Sequence, residues 1–146
     1  MVSRRDFLNF SAATIALTAL PSQIQSKQLI RNYRLTAGIT PHLFDEKGIS
    51  DNLWLYNKQT PGPLIEAKEN DVIRVEFVNN LDNATTIHWH GIKNINKMDG
   101  VPYLTQDPVQ PGENFLYEFP VNHAGTFWYH AHVETWKQIS KGLYGP

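Results

Sequence analysis

Four of the six histidines in the sequence fall into two short patterns, His88-Trp89-His90 and His130-Ala131-His132. On an extended strand, residues i and i+2 face the same side, roughly 7 Å apart. Each pattern therefore projects two imidazoles into one space, and two neighbouring strands would bring four together. Neutral imidazole suits copper, zinc, iron or nickel, and a nitrogen site holds copper(II) most tightly among the common divalent ions. Packed without an ion, four convergent imidazoles would need solvent or hydrogen bonds, and their charged forms would repel. One His-x-His alone is weak evidence, because partly buried histidine is common. Two of them, each close to a tryptophan in a strand, point to a metal site made of His88, His90, His130 and His132. His42, after Pro41, and His123, before Ala124-Gly125, have no such partner and read as surface or structural residues.

Other metal patterns fit less well. A cupin site would place a glutamate a few residues after its His-x-His, where this sequence has Asn94 and Ile95. An α-carbonic anhydrase sets three histidines on one zinc and would not need a fourth. Cysteine is absent, so the chain forms no disulfide and offers no thiolate ligand.

The elements that must carry the histidines read as strands. Ile73, Val75 and Phe77 alternate with Arg74 and Glu76; Phe115, Tyr117 and Phe119 alternate with Leu116 and Glu118. Ile87 and Trp89 alternate with His88 and His90, and Phe127, Tyr129 and Ala131 with Trp128, His130 and His132. Period two marks half-buried strands. Weaker strands are expected at Leu29–Ala37 and Leu53–Tyr56, and a short helix or irregular turn over Val133–Lys141. Turns are signalled at Pro61-Gly62-Pro63, Asn79-Asn80, Asp99-Gly100 and Pro111-Gly112. Many short strands with this punctuation predict an all-β Greek-key sandwich. Gly142-Leu143-Tyr144-Gly145-Pro146 reads as the lead into a further strand, whose absence would leave an open edge.

The whole chain has 146 residues, 41% hydrophobic and 18% charged, which fits one domain. A net charge of −1 provides no basic field for nucleic acid or an anionic membrane. No apolar run reaches the roughly 18 residues of a membrane span. Ser3-Arg4-Arg5-Asp6-Phe7-Leu8 is a twin-arginine pattern, followed by a mild apolar stretch from Phe10 to Leu20. Residues 1–26 therefore read as a Tat-type signal peptide that directs export to the periplasm, the alternative being a short amphipathic helix.

Several motifs, in order, resemble the first domain of multicopper oxidases. Thr85-Thr86-Ile87-His88-Trp89-His90-Gly91 is similar to the family's first copper motif, and Gly125-Thr126-Phe127-Trp128-Tyr129-His130-Ala131-His132 to its second. Between them, Met98-Asp99-Gly100-Val101-Pro102, Thr105-Gln106 with Pro108, and Pro111-Gly112-Glu113 resemble the family's signatures; upstream, Pro61-Gly62-Pro63-Leu64-Ile65 and Asn70-Asp71-Val72 fit as well. The likeness runs over about residues 29–146.

The resemblance implies a bacterial, laccase-like enzyme and a plastocyanin-like cupredoxin domain over residues 27–146, C-terminally truncated and lacking its last strand. It implies a trinuclear copper cluster that reduces O2 to water. His88 looks like a type 2 copper ligand, and His90, His130 and His132 like type 3 ligands. Asp99 falls where the family has an acidic residue near the cluster, a catalytic role in orienting water or relaying protons. Turn chemistry alone would also favour an aspartate before Gly100.

The remaining ligands and the type 1 copper belong, in the family, to a C-terminal cupredoxin domain with a His-Cys-His motif. Without cysteine, no type 1 site can be built from this sequence, so it is not self-sufficient as an oxidase. The expected partners are that C-terminal domain, O2, and a phenolic or metal-ion electron donor. Two other functions compete with an oxidase fragment: a stand-alone periplasmic copper-binding module, and a non-catalytic scaffold that has lost its copper. Intact histidines at all four positions speak against the scaffold.

Overall fold

Alternating burial along β3 (Val72–Asn80) builds the first layer. Ile73, Val75, Phe77 and Asn79 are buried, while Arg74 and Glu76 lie toward solvent. The computed structural model describes residues 28–45 and 48–146; the predicted export signal, residues 1–26, lies outside them. β3 pairs in parallel with β1 (Ile30–Asp45), from Ile30 opposite Val72 to Gly38 opposite Asn80. It pairs antiparallel with β5 (Asn114–Pro120) on its other side, and β1 pairs antiparallel with β2 (Gly48–Tyr56). The order of this sheet is β2-β1-β3-β5.

The second sheet is shorter and carries both His-x-His patterns. Its order is β4 (Ile87–His90), β6 (Trp128–Ala131), β7 (Tyr144–Gly145), all antiparallel. A short helix, α1 (Thr135–Ser140), follows β6, and a 3-10 turn spans Asn96–Met98. The described residues are thus all-β apart from these two pieces, as the alternation predicts.

The two sheets meet over aromatic rings. Trp89 of β4 packs edge-on against Tyr117, 5.4 Å between ring centres, and lies 5.0 Å from Phe119 and 5.8 Å from Tyr129. These residues and Val75, Phe77, Ile87 and Ala131 are almost wholly inaccessible. Bulky aromatic and β-branched side chains stiffen such strands and fill the space between layers. Tyr129 also reaches past β7: its hydroxyl donates to the Pro63 carbonyl at 2.7 Å. Only glycine leaves it room, because a Cβ at Gly62 or Gly145 would collide with the Tyr129 oxygen.

Two interactions fasten the layers and their ends. Asp71, buried before β3, accepts from the Arg31 side chain at 2.7 Å and from the Leu29 and Lys68 amides. The Arg31 hydrogen bond is the main reason its carboxyl group sits below the usual aspartate range. Across the core, the Ile87 amide donates to the Tyr117 hydroxyl at 2.9 Å. That amide starts a strand at the margin of its sheet, so without the phenol it would be buried and unmatched.

β1 and β2 extend further than the sequence suggests, to Asp45 and from Gly48. Beyond Gly38, β1 has left β3 and pairs only with β2, with register shifts around Pro41 and again before Asp45. A proline is tolerated there because its missing N–H falls at an irregular, one-sided stretch. His42 stands in β1 opposite Ser50.

Replacing the phenol should show what the cross-layer bond contributes. Tyr117→Phe is expected to lower the unfolding free energy by about 1–3 kcal/mol, the cost of leaving a buried amide unpaired. Urea unfolding of both proteins measures it; an unchanged midpoint would mean that the Ile87 amide finds another acceptor.

Candidate metal centre

β4 and β6 run antiparallel in a register that sets His88 opposite His130, Ile87 opposite Ala131, Trp89 opposite Tyr129 and His90 opposite Trp128. Side chains alternate between faces. Ile87, Trp89, Tyr129 and Ala131 take the core face, and the histidines take the other. The outcome is a cluster of rings. His88 lies 5.6 Å from His90, 5.4 Å from His130 and 5.2 Å from His132, centre to centre. His130 and His132 are stacked at 6.0 Å.

The four expected ligands are not equivalent. Ring nitrogens of His88, His90 and His130, one from each, all lie within 4.8 Å of one another. His132 adjoins this group without joining it, since β6 ends at Ala131 and the chain turns toward α1. Burial also differs: His130 is buried, His88 and His132 are half-buried and His90 is exposed.

Hydrogen bonds orient the rings. His88 Nδ1 sits 2.7 Å from the Asp99 carbonyl oxygen, which can only accept, so Nδ1 carries the proton and Nε2 keeps a free lone pair. His130 Nδ1 likewise donates to the Ala131 carbonyl at 3.0 Å, leaving Nε2 as an acceptor. His90 Nδ1 approaches that Nε2 at 3.2 Å and donates to it. Once His90 moves its proton from Nδ1 to Nε2, two nitrogens at this spacing can both reach one ion about 2 Å from each.

Electrostatics favours an uncharged ring at His130. Burial is the chief cause holding His130 below the ordinary histidine pKa; His88, His90 and His132 push the same way, while the Ala131 carbonyl opposes them. A neutral imidazole is the form that ligates.

A turn locks the site from outside. Gly100 has φ of +74°, and a Cβ there would run into the Ile87 carbonyl oxygen. The Thr86 hydroxyl donates to the Gly100 carbonyl at 2.6 Å. The Asp99 carboxylate lies 3.6 Å from His88 Nδ1 and is partly exposed, so its backbone carbonyl makes the closer contact. Behind the site, the fully buried Gln138 of α1 accepts from the Thr85 hydroxyl at 2.7 Å and donates to the Ala84 carbonyl at 3.0 Å. The His132 amide donates to the Thr86 carbonyl. Sequence reasoning misses what Gln138 does, because a glutamine in a short helix carries no signal that it will be buried. His123 lies apart, against Phe127 and near the Gly91 carbonyl. A cavity of about 550 Å³ opens beside Trp128, and none of the four clustered imidazoles lines it.

Residues 40–146 match the family model described as "Multicopper oxidase". The chain belongs to the multicopper oxidase family. It is 36% identical over 141 residues to Laccase-1 of Cryptococcus neoformans var. grubii, covering 93% of this chain and 22% of that protein. It is 46% identical over 90 residues to Copper resistance protein A of Pseudomonas syringae pv. tomato, covering 62% of this chain and 14% of that one. Among solved structures, a multi-copper oxidase from Pseudomonas thermotolerans superposes with a TM-score of 0.78 at 43% identity, over 82% of this chain and 29% of that chain. The chain therefore spans less than a quarter of the length of these curated relatives. The likeness establishes the cupredoxin fold and joins this copper oxidase family to a histidine group able to hold metal. No helix among the described residues is long and apolar enough to cross a membrane.

Two outcomes are expected. Gly100→Ala should melt at lower temperature and displace His88, because the turn must give up both its left-handed backbone and its contact with Ile87; an unaltered melting curve and His88 imidazole signal would contradict it. In the metal-free protein, His130 should stay neutral as pH falls through about 6.5, the unfolded value. The unfolded chain then binds more protons than the folded one, so stability drops below that pH and is fully present above it. Imidazole 15N shifts followed from about pH 8 to 5 check this; an ordinary His130 midpoint would refute it.

Proposed function

We propose that this chain is the N-terminal cupredoxin domain of a bacterial multicopper oxidase and contributes half of the ligands of a trinuclear copper cluster. Residues 27–146 form that domain, and residues 1–26 are a twin-arginine signal that sends it to the periplasm. His88 is the type 2 ligand, and His90, His130 and His132 are type 3 ligands. The observation that carries this reading is the register placing His88 opposite His130, with ring nitrogens from three histidines inside 4.8 Å. The donor set suits copper: imidazole nitrogens, neutral at the buried His130, with carbonyls dictating where the protons sit on His88 and His130.

Copper held here, completed by ligands from a C-terminal cupredoxin domain, supplies electron transfer to O2 while a phenol or metal-ion donor is oxidised. This chain's residues prepare that chemistry. The Asp99 and Ala131 carbonyls fix which nitrogens of His88 and His130 are free. The pairing of His90 with His130 supports a shared ion for those two, with His132 serving another part of the cluster. The Asp99 carboxylate, partly exposed and 3.6 Å from His88 Nδ1, is the group that holds and passes a proton at its oxygens.

A second reading is favoured by the same nitrogens, since three of them converge on this chain alone: a periplasmic module that binds copper by itself. Copper(II) titration of the purified chain, by calorimetry and electron paramagnetic resonance, tests the ligands. Sub-micromolar uptake with nitrogen coordination is expected, weakened roughly 100-fold by His130→Ala with the fold retained. No uptake by the parent, or parental affinity in the variant, would sink the assignment. The downstream coding sequence separates the two readings: a further His-x-His and a His-Cys-His in frame belong to an oxidase, intergenic sequence to a binding module.

A further inference from the structure

Trp128 shares the outer face of β6 with His130 and stands directly opposite His90 in the ladder. Its ring lies 4.3 Å from that of His130, tilted by 34°, and 5.0 Å from that of His90, tilted by 31°. The indole therefore lies against both imidazoles whose nitrogens meet at 3.2 Å. His90 is exposed, and among the described residues its ring hydrogen-bonds through that one contact; besides Trp128, the rings against it are those of His88 and His130. An aromatic side chain is a low-entropy way to restrain such a ring, because aromatic pairs at these centre-to-centre distances attract beyond their shared burial.

From these contacts we infer that Trp128 is a positioning residue: its indole clamps His90 and His130 in the orientation that presents their two nitrogens to one ion. The inference rests on the copper reading above. The clamp acts before any ion arrives, keeping His90 Nδ1 aimed at His130 Nε2. It lowers the ordering cost of ligation, as preorganised sites do. The indole itself donates nothing to the ion. Its Nε1 is a donor only, and the face it turns to the imidazoles carries no lone pair.

The full chain with Trp128→Leu or Trp128→Phe separates positioning from packing. Leucine keeps apolar bulk without a ring face, and phenylalanine keeps the face. Three quantities are read: the 15N signals of the His90 and His130 imidazoles without metal, copper(II) affinity, and the urea midpoint. With leucine, the His90–His130 hydrogen-bond signature should disappear and affinity fall about tenfold, at a nearly parental midpoint. With phenylalanine, the signature should persist and affinity stay within about threefold. Parental imidazole signals and affinity in the leucine variant would overturn the inference. So would losses in both variants that merely track the midpoint. If the parent itself takes up no copper, the functional reading fails, while the metal-free imidazole signals still decide what Trp128 does.

Discussion

The antiparallel register of β4 on β6 is the constraint on which the rest depends. With His88 opposite His130, every second residue of both strands enters the core and every other one faces the ring cluster. A slip of one residue would exchange the two sets, sending tryptophan and tyrosine outward and imidazoles into the apolar interior. Core packing and ligand placement are therefore one decision. The aromatic contacts of Trp89 with Tyr117, Phe119 and Tyr129 hold the histidines in place without touching them.

Within that frame, proton positions are settled by backbone groups. A carbonyl can only accept, so the Asp99 and Ala131 carbonyls dictate the tautomers of His88 and His130. The burial of His130 then suppresses the charged form, which neighbouring imidazoles would also oppose. Within the cluster, one imidazole donates to the next.

Much of this is legible in the residues, and what is not has physical causes. Period-two alternation reports which face of a strand is wet, so β3, β4, β5 and β6 and the shared direction of the histidines can be read directly. Pairing is another matter: β4 and β6 are separated by dozens of residues, and alternation says nothing about which strand lies beside which. The far half of β1 is hidden because Thr40-Pro41-His42 has the composition of a loop, whereas a bulge accommodates it. His132 looks equivalent to the other three in sequence, yet the strand ends at Ala131. Gln138 and the indole of Trp128 gain their roles from tertiary neighbours that no local pattern encodes.

The Asp99–Gly100 turn has an effect outside the ligand cluster. Among the described residues β4 is the outermost strand of its sheet, and such a margin can recruit a strand from another molecule. Gly100 lies so close over the Ile87 carbonyl that no side chain fits between them, and the Tyr117 hydroxyl occupies the neighbouring amide. The hydrogen-bonding groups at the start of that margin are already engaged or covered. The loop that steadies His88 thus also protects the protein against edge-to-edge aggregation, so a mutation that loosens it would endanger solubility as well as ligand geometry.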